Sequence, residues 1–463
     1  MSKTKVSGYV IFIAVVAALG GILFGYDTAV ISGTTEIVRS QFGLNDMNLG
    51  WYVGCALIGS IAGVAVAGSL SDGIGRKKTM LISAALFSIS AIGCAVCGSF
   101  NALVAYRIIG GVGIGIVSIV SPVYISEIAP AEHRGMLVSL YQLAITAGFL
   151  LAYMANWAID AGADPLAADA SLWERMFNSE SWRGMLGSET IPALLFFAVI
   201  FFIPESPRWL MTKGRNEKAV SILTRTCGSR QEAELYAETT ASQAVQEDKG
   251  AWKLLLSKGM ITAVLSGCAI AILGQFMGVN AVLYYGPAIF ADAGFDDPMF
   301  STVLVGLVNM LTTVLALFII DRVGRKKLIY WGVSGMILCL LNIGIYFAFG
   351  EKLSIGNGFM LTFFLAYVFC CAISISAIVF VLLSEMYPNK VRGRAMSIAG
   401  LALWIGTYLI GQLTPTFLAW SPAGTFFIFA AMCVPYMLIM WKIIPETSGK
   451  TLEEIETYWN TKF

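Results

Sequence analysis

Twelve apolar stretches of about 20 residues, each long enough to cross a bilayer, occupy most of this 463-residue chain. In lipid every backbone amide needs an internal partner, so each stretch is expected to be a helix. Six start near Tyr9, Leu49, Lys78, Asn101, Gly135 and Met185. Six more start near Gly259, Met299, Lys327, Gly358, Arg394 and Ala423, the last ending near Ile444. Composition agrees, with 57% hydrophobic and 13% charged residues against roughly 45–50% and 25% in soluble proteins. Such a chain cannot cover itself with polar surface. Its formal net charge of +1 argues against an electrostatic nucleic-acid binder. The expected class is an all-α polytopic membrane protein with twelve transmembrane helices.

The first stretch is followed by Gly25-Tyr-Asp-Thr28 rather than a small-x-small cleavage site, so it reads as a retained helix. An even number of spans puts both termini on one side. Of 30 basic residues, only Arg39, Arg175, Arg183 and Lys352 fall in loops on the opposite side, and Arg107 falls in a span. The positive-inside rule then makes both termini cytoplasmic.

The chain repeats itself. Asp72-Gly-Ile-Gly-Arg-Lys-Lys78 returns as Asp321-Arg-Val-Gly-Arg-Lys-Lys327, 249 positions on. Glu127-Ile-Ala-Pro-Ala-Glu-His-Arg134 returns as Glu385-Met-Tyr-Pro-Asn-Lys-Val-Arg392, 258 on. Pro204-Glu-Ser returns as Pro445-Glu-Thr, 241 on. These offsets imply two six-span halves, 1–204 and 259–444, with a cytoplasmic linker at 205–258 and a tail at 445–463. Parallel halves with a site between them describe an alternating-access transporter. Glu217–Thr226 and Arg230–Glu247 in the linker read as short amphipathic helices. An acid ending one helix and an arginine beginning the next, as in Glu127 with Arg134 and Glu385 with Arg392, are expected to pair as a cytoplasmic latch. Asp72, Arg76, Asp321 and Arg325 belong to the same gate.

Asp27, Arg107 and Glu189 are the ionisable acids and bases well inside the spans. Their positions put all three roughly 6–9 Å below the outer edge at about 1.5 Å per residue. An isolated acid or arginine at mid-membrane costs about 2.5–3.5 kcal/mol on insertion scales, so pairing is expected. Two readings stand: a structural tether between helices, or a proton switch in which protonated Asp27 releases Arg107 to Glu189. Eight of nine cysteines sit in spans. Cys94 and Cys97 lie one turn apart, but without a histidine or third cysteine beside them they read as packing rather than metal ligands. His133, the single histidine, reads as a solvated loop residue.

A neutral sugar needs amides and hydroxyls that both donate and accept, plus an aromatic face. Gln142, Gln275, Asn280 and Asn309 stand at mid-span, where an unsatisfied amide is costly. Gln275 and Asn280 are five apart, a spacing an unbroken helix would not align. Gly274, Gly278, Gly286 and Pro287 make the seventh span a candidate broken helix, an arrangement expected at a midplane site.

Gly20-Gly-Ile-Leu-Phe-Gly-Tyr-Asp27-Thr-Ala-Val-Ile-Ser-Gly33, Arg107-Ile-Ile-Gly-Gly111, Pro204-Glu-Ser-Pro-Arg-Trp-Leu210, Gln275-Phe-Met-Gly-Val-Asn280-Ala-Val-Leu-Tyr-Tyr285 and Pro445-Glu-Thr-Ser-Gly-Lys-Thr451 carry a family resemblance. The chain resembles the sugar porter family of the major facilitator superfamily, most closely its bacterial xylose–proton symporters, over nearly its whole length. The resemblance implies import of a monosaccharide by proton symport, without a cofactor, by a protein that works as a monomer. Proton-coupled members carry Asp at position 27, and related facilitators a neutral residue. It also implies Gln142, Gln275, Asn280 and Asn309 as sugar ligands and Phe24, Tyr284 and Trp404 as cavity aromatics. Tyr284 and Tyr285 would help close the outer gate, with Glu205, Arg208 and Glu446 in the cytoplasmic one.

Departures bear on selectivity. Phe149 replaces a second glutamine, Gly274 the first of a glutamine pair, Leu403 an amide and Phe380 a stacking tryptophan. Ser376-Ala377 replaces a Gly-Pro hinge. Gly73 replaces a loop arginine and is expected to weaken the latch of the first half, while Arg322 keeps it in the second. A compact monosaccharide is therefore expected, a pentose ahead of a hexose. A proton-independent facilitator and a non-transporting sugar receptor are the alternatives. An enzyme is not expected, because no nucleophile–base set, metal cluster or phosphate loop is visible.

Overall fold

The computed structural model describes residues 7–130, 133–164, 171–227, 230–231, 233–234, 255, 257–388, 391–447, 450 and 452–462. Among them, twelve helices are long and apolar enough to cross a membrane. The first six are Gly8–Phe42, Asp46–Ile74, Arg76–Val96, Phe100–Ile128, Arg134–Gly162 and Ser181–Ile200. The other six are Lys258–Asp292, Pro298–Ile320, Arg325–Phe349, Asn357–Met386, Arg392–Trp420 and Pro422–Lys442. All-α architecture and span number agree with the sequence reading. The first span is longer than expected and runs through Thr34 and Thr35. Their hydroxyls bond the carbonyls of Ile31 and Ser32 at 2.8 and 3.2 Å, so these polar residues are satisfied without interrupting the helix. The span thus ends later than expected, and the contacts described below bring the three charges together.

Side chains start several spans. Ser99 accepts from the Ala102 amide at 3.3 Å and Asp297 from the Phe300 amide at 2.8 Å, the latter followed by Pro298, satisfying amides that a helix start leaves orphaned. The repeated Gly-Arg turns use glycine for its backbone: Gly75 and Gly324 have φ of 101° and 93°, a region side-chain-bearing residues avoid. Each is followed at once by a new span.

Packing resolves two compact units. One comprises Met1–Val30, Cys55–Ala155 and Ala161–Lys249, the other Ile31–Gly54, Asn156–Asp160 and Gly250–Phe463. Residues 31–42 of span one, 46–54 of span two and 156–160 of span five thus belong to the second unit. Within it Gln412 Nε2 donates to the Met47 carbonyl at 2.9 Å, and Trp157 Nε1 to Asp297 Oδ2 at 3.1 Å.

In the first unit, spans two and four approach backbone to backbone. A Cβ on Gly111 would lie 1.9 Å from the Ala56 carbonyl oxygen, and one on Gly115 2.2 Å from that of Ser60. Small residues permit that approach, which accounts for the glycine run of span four.

The linker helix expected at Glu217–Thr226 is present as Asn216–Cys227 and buries Ala219 against Trp209 and Leu210. Most of Arg230–Glu247 lies outside the described residues. The tail forms a helix, Leu452–Lys462, whose fully buried Trp459 donates from Nε1 to the Met386 carbonyl at 3.2 Å.

Candidate functional site: a buried charge triad and a broken amide helix

In the first unit the structure brings Asp27 and Arg107 together. Arg107 Nη1 donates to Asp27 Oδ1 at 2.5 Å, and the side chains are only 3% and 4% exposed. Glu189 is equally buried, and its carboxyl meets Asp27. Its Oε1 has no hydrogen-bond partner among the described residues. Two acids therefore meet away from water, one of them bonded to the guanidinium, whose charge also reaches the other. Cys55 on span two and Cys94 on span three lie within electrostatic reach of the group. Glu189 sits at a break in span six between the helices Ser181–Ser188 and Thr190–Ile200, and its amide bonds the Leu186 carbonyl three residues back at 3.3 Å. That tightened turn aims the acid inward.

Each repeated motif builds the same cluster in its own unit. Arg76 grips Glu127 with Nε and Nη2, both at 3.0 Å, and reaches Asp72 Oδ1 with Nη1 at 2.9 Å. Ser206 Oγ donates to Glu127 at 2.5 Å, and Glu205 accepts the amides of Arg76 and Lys77 at 2.9 and 3.1 Å. In the second unit Arg325 grips Glu385 at 3.2 and 2.8 Å. Thr447 Oγ1 donates to Glu385 at 2.6 Å, and Glu446 accepts the Lys326 amide at 3.2 Å. Glu205 and Glu446 thus meet the positive N-terminal ends of spans three and nine.

This corrects the expected pairing of neighbours along the chain. Glu127 pairs with Arg76, not Arg134, whose buried Nε has no hydrogen-bond partner among the described residues. Glu385 pairs with Arg325, whereas Arg392 donates to the Tyr387 carbonyl at 3.4 Å. Helix packing sets these partners, because span three begins where span four ends. Arg208 and Arg322 are exposed, and the side chain of Asp321 lies outside the described ones. Ser206 and Thr447 were missed as cluster members, although the repeated Pro-Glu-Ser and Pro-Glu-Thr held the signal.

In the second unit the seventh span is broken. One helix ends at Phe276 and the next starts at Val279, with Gly278 left-handed at φ 92°. Tyr285 leaves helical geometry again just before Gly286 and Pro287, while Gly274 stays inside regular helix. The break lets Asn280 Nδ2 donate to Gln275 Oε1 at 2.5 Å, so two amides five positions apart stand side by side. Tyr284 and Tyr285 are buried, and the Tyr285 hydroxyl donates to the Gly411 carbonyl at 2.7 Å. Phe149, Asn309 and Trp404 are buried, Phe24 and Gln142 half-buried, and Phe380 is 51% exposed. Where a Gly-Pro hinge was missing, span ten makes a π-helical turn over Ala372–Ser376. Ser374 bonds back to the Cys370 carbonyl at 2.5 Å there, a contact that bends helices, and such turns recur at functional sites.

Twelve spans, duplicated motifs, a buried charge group and a broken polar helix define a polytopic membrane carrier rather than an enzyme. The chain belongs to the sugar (and other) transporter family, whose model matches residues 13–459. It is 39% identical to the D-xylose-proton symporter of Escherichia coli (strain K12), covering 98% of this chain and 96% of that protein. It is 37% identical to the arabinose-proton symporter of Bacillus subtilis (strain 168), covering 99% and 97%. The inward open structure of the xylose transporter XylE from E. coli is similar at a TM-score of 0.83 and 36% identity, covering 97% of this chain and all of that one.

Proposed function

We propose that this protein imports a monosaccharide by proton symport through alternating access, with Asp27 as the proton-carrying group. The observation that carries the reading is two buried acids facing one arginine. With both acids ionised the group bears a net charge of −1, and one bound proton makes it neutral. Burying an uncompensated charge is costly, so proton and conformation are linked. Protonation of Asp27 frees Arg107, which turns to Glu189. A sugar is then carried in step with that exchange.

The Asn280–Gln275 bond consumes one donor and one acceptor, leaving Gln275 Nε2, the Asn280 carbonyl and the second Asn280 N–H for sugar hydroxyls. Gln142 and Asn309 supply further amides, and Phe24, Tyr284 and Trp404 the apolar contact. Phe149, Phe380 and Leu403 offer no amide or indole, which favours a compact sugar, a pentose ahead of a hexose. Relatives named for xylose and arabinose support that order. The Arg76–Glu127 and Arg325–Glu385 clusters act as cytoplasmic latches of the halves 1–204 and 259–444, and Tyr284 with Tyr285 as the outer gate. The protein works as a monomer in a bacterial inner membrane, with both termini cytoplasmic.

The test is uptake of labelled pentoses, hexoses and polyols into proteoliposomes with and without an inward proton gradient. A pentose accumulated only with the gradient is expected. Equal uptake under both conditions would identify a facilitator, and binding without uptake a receptor.

A further inference from the structure

We infer that Tyr26 and Ser188 form a positioning bracket for proton coupling, holding the Glu189 carboxyl against Asp27; this rests on the symport reading above. The Tyr26 hydroxyl lies 2.7 Å from Ser188 Oγ, and Ser188 Oγ also lies 2.5 Å from the Met185 carbonyl oxygen. A carbonyl only accepts, so the single Ser188 proton is committed to Met185 and Tyr26 is the donor to Ser188. The chain of bonds ends on a backbone carbonyl, where no proton can be passed on. It is a brace and not a relay.

Its place in the sequence gives it leverage. Tyr26 precedes Asp27, and Ser188 precedes Glu189, so one bond ties the two acid-bearing turns. Span six needs such a tie, because Glu189 stands at the junction of two helices. Tyr26 is 6% exposed, so water does not compete for the bond. The groups facing the carboxyls are Asp27 and Tyr26 from span one, Cys55 from span two, Cys94 from span three, Arg107 from span four and Glu189 from span six. Arg107 is the cation of that set, so the distance between the acids governs how firmly Asp27 holds its proton. Like charges held close disfavour joint ionisation; letting Glu189 swing away lets the proton leave at lower pH.

The experiment is the pH profile of gradient-driven uptake in proteoliposomes, alongside sugar exchange at equal pH on both sides, which needs no net proton movement. Tyr26→Phe keeps the ring and removes the bond. Its uptake profile is expected to move toward acid by about one pH unit, with exchange within about threefold of the parent, a factor worth under one tenfold step. Ser188→Ala is expected to give the same shift, and the double variant no further one, because both remove one bond. An unmoved profile in both single variants, or parallel loss of uptake and exchange with no shift, would overturn the bracket. Asp27→Asn in the same assay separates the two ideas: if it still accumulates sugar, the symport reading itself fails, whatever Tyr26→Phe does.

Discussion

The two repeated-motif clusters and the buried triad use the same functional groups, guanidinium and carboxylate, and reach opposite balances. At the span ends Arg76 spends its nitrogens on Glu127, Asp72 and the Ser71 carbonyl, while Glu127 also accepts from Ser206. Arg325 and Glu385 repeat the arrangement in the second unit. Such networks are satisfied, and satisfied networks rigidify. The triad has one more acid than base and, among the described residues, a carboxyl oxygen on Glu189 with no hydrogen-bond partner, and among those residues it has no counterpart in the second unit. On the proposed reading the repeated element is the fastener, and the single one is the switch.

The largest effect should follow from emptying the switch of its cation. Arg107→Met leaves two buried acids uncompensated, at a cost of about 3–5 kcal/mol, and should yield a protein that unfolds well below the parent in detergent. Adding Asp27→Asn should recover most of that loss. A single variant as stable as the parent would mean that the pair carries no buried charge.

Breaking a fastener should cost less. Arg76→Ala and Arg325→Ala each open one network at a span end where Asp72 and Glu385 are partly exposed, so the loss should be about 1.5–3 kcal/mol in all, and their effects on thermal unfolding should add, since the clusters sit in separate units. Strong non-additivity would show that the clusters are one system.

Asn280→Ala or Gln142→Ala should raise the sugar concentration for half-maximal uptake by about tenfold, one lost hydrogen bond being worth about 1 kcal/mol or more when the site is desolvated. Kinetics measured at fixed pH would check this; parent-like values would remove both residues from the sugar site.

The smallest effect concerns the turn before span six. Burial pushes the Glu180 carboxyl up, but hydrogen bonds from Arg183 and Arg175 outweigh it and hold it below the usual carboxylate range. A depressed folded value means stability present above the unfolded value and lost as pH falls through the folded one. Glu180→Gln should therefore lower the unfolding temperature by a few degrees near pH 7 and by less in acid. A loss that grows toward acid pH would contradict the sign.

The spans were legible because a run of about 20 apolar residues has few alternatives, and the broken seventh helix because Gly278 and Pro287 announce it. The Asp27–Arg107 contact was legible from the cost of leaving either charge alone. The Glu127–Arg76 pairing was not, since helices adjacent in space carry residues 51 positions apart, and the nearest arginine in sequence is a misleading guide. The π-turn at Ala372–Ser376 and the Gln412–Met47 contact left no mark either, because each depends on which helix face meets which neighbour.

The central claim is that a sugar molecule brings a proton in through Asp27. Adding substrate to energised proteoliposomes in weakly buffered medium measures this directly. External alkalinisation is expected to accompany uptake by the parent and to vanish in Asp27→Asn, while labelled sugar still exchanges. Alkalinisation that survives in Asp27→Asn, or sugar uptake by the parent with no proton movement at all, would contradict it.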